Sequence, residues 1–272
     1  MPLLTLKASI KSHPALYRAL LPIVRQVRSV RDLPARLRRQ RLRAAAEQIR
    51  RYCAVLPQLV PQPLFVKVGA NDGVTGDPCS DILLAMPQWR GILIEPVPYC
   101  FERLRANFGD TRRFILEQVA VGATSGRASF YFVSPAAAEH IPNLPAWFDQ
   151  LGSFDKTHIL KQLDGILEPY IVETAIDVSP LADILQRHRV SRIDLLHIDT
   201  EGYDYEILKT IDFSQNAPSA VLVEHWHLSD DDRKGMRRCL LQAGYTVLDC
   251  GGDFFAIDSG LMKRLPPAAS AG

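Results

Sequence analysis

Leu64-Phe65-Val66-Lys67-Val68-Gly69-Ala70-Asn71-Asp72-Gly73 is the stretch that decides the fold. Five residues rich in β-branched and apolar side chains run straight into a turn with a glycine at each end. That is how the opening strand of a parallel α/β sheet meets its ligand, because backbone amides are free at the strand's carboxyl end and side-chain bulk is absent. Downstream, short apolar runs at residues 91–94, 114–121, 193–198 and 220–223 alternate with helical patterns at 81–86, 99–108, 181–188, 203–210 and 230–243. This alternation is the mark of βαβ units. The last two runs, residues 245–248 and 254–257, flank Gly251-Gly252 and predict an antiparallel hairpin. Residues 134–170 hold Pro135, Pro142, Pro145 and Pro169 without regular periodicity. They read either as a binding loop or lid, or as a cover over core surface.

Upstream of the opening strand, helical periodicity over residues 3–30 is interrupted by Pro14 and Pro22. A more continuous helical pattern follows over residues 35–56 and is expected to end in the proline-rich segment 57–63. The expected organisation is a basic helical arm (residues 1–60), a Rossmann-like domain (61–260) and a disordered tail (261–272). A hydrophobic fraction of 47% and a charged fraction of 23% belong to the soluble globular class and argue against a disordered or fibrous chain. No run reaches the roughly 18 apolar residues of a membrane span. The net charge of +2 conceals an asymmetry: residues 1–51 carry thirteen Lys or Arg against two acids, and the remainder nineteen against twenty-eight. The arm is thus suited to peripheral contact with an anionic membrane, or to docking on an acidic body. An acidic main domain does not suit nucleic acid. Five cysteines without a C-x-x-C pair suggest neither a disulfide framework nor a zinc site. With no signal-peptide pattern at the N-terminus, the expected location is cytoplasmic.

Candidate chemistry gathers at the predicted strand ends. Gly69, Ala70, Asn71, Asp72 and Gly73 form the turn after the first strand, and Glu95 follows the second, where a carboxylate can accept hydrogen bonds from ribose hydroxyls. A dinucleotide dehydrogenase shares these features. The turn, however, reads G-A-N-D-G-V-T-G rather than G-x-G-x-x-G, and its polar side chains suit a cationic ligand such as S-adenosylmethionine better than a pyrophosphate. Asp199 and Glu201 emerge from the fourth strand, either as functional acids or, for Glu201 and Thr200, as caps of the next helix. Glu224, His225 and His227 end the fifth strand. His225 is the expected general base for a hydroxyl, assisted by Asp199 or Glu224. The same acids and histidines offer donors to Mg²⁺ or another divalent ion, but their spacing matches no metal motif and no metal is assigned.

Taken together, G-A-N-D-G after strand one, I-E-P after strand two and I-D-T-E-G-Y-D-Y-E-I-L after strand four resemble the FkbM family of methyltransferases, over about residues 64–257. The resemblance implies an α/β, Rossmann-like seven-strand methyltransferase sheet, mostly parallel, with S-adenosylmethionine as methyl donor. It also implies O-methylation of a sugar, glycan or secondary-metabolite hydroxyl, hence a small-molecule or glycan acceptor. Carried over, Gly69, Asn71 and Asp72 line the methionine and ribose region, Glu95 holds the ribose, and Asp199 sits beside the transferring methyl. The family's acid two residues before the first glycine is Lys67 here, which leaves Asp72 or Asp199 to replace it. Two other readings compete: a nicotinamide-dependent oxidoreductase and a non-catalytic nucleoside-binding protein.

Overall fold

A computed structural model describes residues 46–109 and 112–264. Most of the predicted arm and the last eight residues of the predicted tail lie outside these. All described residues fall in the second of two compact units, residues 45–272. Their centre is a seven-stranded sheet built from β1 (Leu64–Val68), β2 (Arg90–Ile94), β3 (Phe114–Glu117), β7 (Leu195–Ile198), β8 (Ala220–Glu224), β9 (Tyr245–Asp249) and β10 (Asp253–Asp258). Its order is β3-β2-β1-β7-β8-β10-β9. The first five strands pair in parallel, and only β10 runs against its neighbours β8 and β9. The expected mostly parallel sheet with a C-terminal antiparallel hairpin is therefore present. β10 lies inside the hairpin, between β8 and β9.

Period-two alternation explains why the strands read as unbroken apolar runs. Phe65, Leu93, Leu195, Leu222 and Phe255 are buried on one face of the sheet. Val66, Ile92, Leu196, Val221 and Ala256 are buried on the other, so both faces are covered. The first face is closed by α1, the helix through residues 46–59, which buries Ile49, Tyr52, Cys53 and Leu56. Tyr52 donates from Oη to the Asp194 carbonyl at 2.7 Å. This helix ends at residue 59, inside the proline-rich segment expected to stop it, and includes Pro57. Proline brings no N–H for the Cys53 carbonyl four residues back. The indole Nε1 of buried Trp89 donates to that carbonyl instead, at 3.0 Å.

Helices α2 (Ser80–Ala85) and α3 (Pro98–Phe108) follow β1 and β2, and α6 (Leu181–Arg187), α7 (Asp204–Lys209) and α8 (Asp230–Gln242) fall where the helical patterns predict. The run 114–121 is not one strand. It breaks after Glu117, and Ala120–Val121 (β4) joins a second, three-stranded sheet, β4-β6-β5, with β5 at Gly126–Val133 and β6 at Ile171–Ser179. Residues 134–170 are inserted between β5 and β6. They carry two short helices, α4 (Ala137–His140) and α5 (Lys156–Leu160), and three 3₁₀ turns, and bury a small core of their own around Leu151, Ile159 and Leu167. Ser259–Arg264 (α9) closes the described chain. Part of the predicted tail is thus helical.

Candidate active site

The chain crosses from β3 back over β1 to β7, so the strand order reverses between β1 and β7. Open α/β sheets bind ligands outside the strand ends at such a switch point. A cleft of about 760 Å³, its open mouth included, lies there. The sheet contributes Lys67, Gly69, Asn71, Glu95, Asp199, Thr200 and Glu201 to its walls, and the insertion contributes Asp149, Gln150, Gly152, Ser153 and Phe154. The aperiodic segment therefore completes the cleft.

The glycine turn approaches the neighbouring strand end closely. Gly69 has φ +77°, and a Cβ there would lie 1.7 Å from the Asp199 carbonyl oxygen. Its amide and that of Ala70 donate to the Ile94 carbonyl, tying the turn to β2. Glu95 is 5% exposed and uses both carboxylate oxygens on the protein, accepting from Asn71 N–H at 2.7 Å and Val97 N–H at 2.8 Å. Each oxygen keeps a further lone pair for a ligand. Burial pushes its pKa up to about 7 despite those two donors. Asn71 also joins the turn to the insertion, donating from Nδ2 to the Asp149 carbonyl, while Arg103 bridges Asn71 and the Asp149 carboxylate.

The other predicted turn residues do not line the cleft. Asp72 caps its own loop through Val74 and Thr75. Ala70 is buried in the core, and Gly73 packs against Leu104 and Phe108.

Lys67 has a partner that sequence spacing did not reveal. Lys67 and His197 are register partners on β1 and β7 and share a face of the sheet. Asp77 reaches back from the glycine loop to form an ion pair with buried Lys67 and lies 3.5 Å from His197 Nδ1. Burial alone would raise Asp77, but Lys67 and His197 hold it far below the usual carboxylate range. Burial alone would lower Lys67, but Asp77 and Asp199 hold it above its ordinary value.

Acids dominate the rest of the strand edge. Burial raises Asp199, in part against Lys67 and His197. Asp204 is pushed up to about 7 by burial and the nearby Asp199 charge. It accepts from the amides of Thr200 and Gly202 in the loop before α7; the N-cap of that helix is Tyr203, without a side-chain cap, so neither Thr200 nor Glu201 caps it. Glu224 is pushed up to about 11 by burial and by the charges of Asp199, Glu201 and Asp204. Glu201 sits in the left-handed region at φ 55°, which costs a non-glycine residue roughly 1–2 kcal/mol. That backbone carries its side chain to two histidines, 2.9 Å from His227 Nε2 and 3.6 Å from His158 Nε2. His158 was absent from the sequence reading, because it lies in the aperiodic insertion and belongs to no motif.

His225 does not line the cleft. It is 4% exposed, its ring centroid lies 4.2 Å from that of Phe254, and its amide donates to the Gly252 carbonyl beside the β9–β10 turn. Burial lowers its pKa. Two residues on, His227 has the opposite shift, raised chiefly by its contact with Glu201. Glu224 stands between the two settings, 3.7 Å from His227 Nε2.

A switch-point cleft under a sheet with a single reversed strand, β10, inserted before the edge strand places the chain in the Rossmann-like methyltransferase class rather than among parallel dinucleotide-binding sheets. A family model for the methyltransferase FkbM domain matches residues 67–247, and the chain belongs to that family. Among solved structures it is similar to the methyltransferase FkbM from Methylobacillus flagellatus KT, at 17% identity and a TM-score of 0.45, over 72% of this chain and 43% of that one. It thus spans less than half of that protein's length. A precorrin-6y C5,15-methyltransferase from Geobacter metallireducens GS-15 matches at 13% identity and a TM-score of 0.36, over 74% and 72% of the two chains. Fibrillarin from Aeropyrum pernix, solved with natively bound S-adenosyl-L-methionine, matches at 12% and 0.35, over 76% and 75%. At these scores the family assignment rests on the sequence match and the fold on the strand order. No curated protein matches the chain. Among the described residues no helix is long and apolar enough to cross a membrane.

Proposed function

We propose that the chain is an S-adenosylmethionine-dependent methyltransferase acting on a hydroxyl of a sugar, glycan or secondary metabolite. The observation that carries the donor assignment is a surplus of buried acid: Glu95 and Asp199 line the cleft, Asp204 and Glu224 lie within reach of the Asp199 charge, and all four bind protons more tightly than free carboxylates. A ligand bearing ammonium and sulfonium charges relieves that surplus, whereas a pyrophosphate worsens it. S-adenosylmethionine supplies an activated methyl group, so the protein's task is to bind, align and deprotonate the acceptor.

Glu95 accepts the ribose hydroxyls on its remaining lone pairs, and Asn71 and Gly69 border the methionine portion. Asp199 faces the cleft from the end of β7 and takes the acceptor proton. Its raised pKa suits a base that must hold a proton from a weakly acidic hydroxyl. The aromatic chain Phe130–Phe154–Tyr203, with ring centroids 5.1 and 5.3 Å apart, offers flat apolar faces to the acceptor and excludes water. Alignment of this kind can contribute roughly 7 to 11 kcal/mol to lowering the barrier.

The reading is tested by incubating the protein and S-adenosylmethionine with hydroxyl-bearing glycans and secondary metabolites, following S-adenosylhomocysteine release and product mass. Formation of a methyl ether is the expected result. Transfer only to amine or carbon nucleophiles would sink the hydroxyl assignment.

A further inference from the structure

His158, Glu201 and His227 come from three separate segments: the insertion helix α5, the loop after β7 and the loop after β8. One ligand-type atom of each lies within 4.8 Å of the other two. Glu201 Oε2 is 2.9 Å from His227 Nε2 and 3.6 Å from His158 Nε2. Donors about 2.1 Å from a common ion, at tetrahedral or octahedral angles, stand roughly 3.0–3.4 Å apart. Small side-chain adjustments would bring the three atoms to that spacing.

The Glu201–His227 contact has the distance of a hydrogen bond but not the alignment, and the Glu201–His158 contact is too long for one. Glu201 Oε2 and His158 Nε2 are both buried without a hydrogen-bond partner, as is Glu224 Oε2 nearby. Buried polar atoms left this way call for an explanation, and a shared cation is the one that serves both here. Gly202, at φ +105°, lies against the cluster: a Cβ there would be in van der Waals contact with the His227 Cβ at 3.7 Å and His158 Nδ1 at 3.9 Å. The two imidazole rings meet edge to face at 80°, with centroids 5.0 Å apart.

We propose that His158, Glu201 and His227 form a binding site for a divalent first-row transition metal, at the edge of the cleft that Glu201 lines. Two imidazoles and one carboxylate select such ions over Mg²⁺ and Ca²⁺, which prefer all-oxygen sites. Three protein ligands leave coordination positions open toward the cleft, where acceptor oxygens can bind and have their pKa lowered. Glu224 Oε1 lies 3.7 Å from the same His227 Nε2 and adds a further carboxylate beside the proposed ligands. The role in acceptor binding rests on the methyltransferase reading, but the metal site itself does not.

The test uses the untagged full-length chain, stripped with chelator and titrated with Co²⁺, read by visible d–d absorption, and with Zn²⁺ by competition. The expected result is one saturable equivalent that Mg²⁺ does not displace. His158→Asn and His227→Asn should each weaken Co²⁺ binding by at least about 10-fold, with S-adenosylhomocysteine affinity within about twofold of wild type and an unchanged melting profile. His158→Asn is the milder variant, since it alters only the insertion, and it keeps the test open if His227→Asn misfolds. Equal Co²⁺ affinity in wild type and a folded variant, or no saturable binding at all, would overturn the site. Normal Co²⁺ binding without any S-adenosylhomocysteine binding would support the site while removing its role in methyl transfer.

Discussion

Replacing Glu95 with glutamine should flatten the pH dependence of the ligand-free protein's stability. Burial raises the Glu95 pKa from an ordinary 4.5 to about 7. The folded state therefore holds this proton more tightly than the unfolded chain does. The associated stability is fully present below pH 4.5 and is lost as pH rises through 7. Between pH 5 and pH 8 the linkage relation gives a loss of about 2.5 kcal/mol from this one group. In Glu95→Gln that loss disappears. The amide introduces a fixed penalty, since its NH₂ faces either the Asn71 or the Val97 amide, but this offset is the same at both pH values. Asp204, Asp253 and His227, also raised, contribute the same sign in both proteins, and His225, lowered by burial, the opposite sign. The difference of differences therefore isolates Glu95 and its coupling to Asp199. Urea unfolding of both proteins at pH 5 and pH 8 supplies the four free energies. An equal pH slope for wild type and mutant would refute the buried, protonated state on which the charge argument rests.

Three further outcomes follow from the geometry. Gly69→Ala should cost on the order of 3 kcal/mol or more in unfolding free energy, and most of the cofactor affinity, because its Cβ would overlap the Asp199 carbonyl at a positive φ; a stable, binding-competent variant in denaturant titration would contradict the close approach. Asp199→Asn should lower turnover by about 10²- to 10⁴-fold with little change in S-adenosylhomocysteine affinity, whereas His225→Ala should chiefly lower the melting temperature, and steady-state kinetics showing the reverse ranking would restore His225 as the base. Deleting residues 1–44, which hold eleven Lys or Arg against one acid, should leave S-adenosylhomocysteine binding intact and weaken sedimentation with anionic vesicles by about 1 kcal/mol for each basic residue that reaches the surface; equal partitioning of both proteins would rule out a membrane-contacting arm.

Much of the sheet was legible because central parallel strands are buried on both faces, so β1, β2, β7 and β8 read as plain apolar runs. The second sheet was not. β5 and β6 are mostly exposed or half-buried along their length, and their alternating side chains give no such run. The break inside residues 114–121 carries no glycine or proline, so a single strand was the natural reading of two pieces in different sheets. In the candidate site, Gly69, Asn71, Glu95 and Asp199 were legible as cleft residues because a strand end brings them there in sequence order. Asp77 and His158 were not, because each reaches its partners across the fold, to Lys67 and to Glu201. The choice between His225 and His227 depended on which way each side chain leaves the end of β8, and composition at a strand end does not specify that.

The central claim is that the acid-lined cleft holds S-adenosylmethionine, and calorimetric titration of the purified chain with S-adenosylmethionine, S-adenosylhomocysteine and NAD in parallel tests it most directly. Saturable one-to-one binding of the first two, with none for NAD, is the predicted result. Binding of NAD alone would contradict it and return the chain to the oxidoreductase reading.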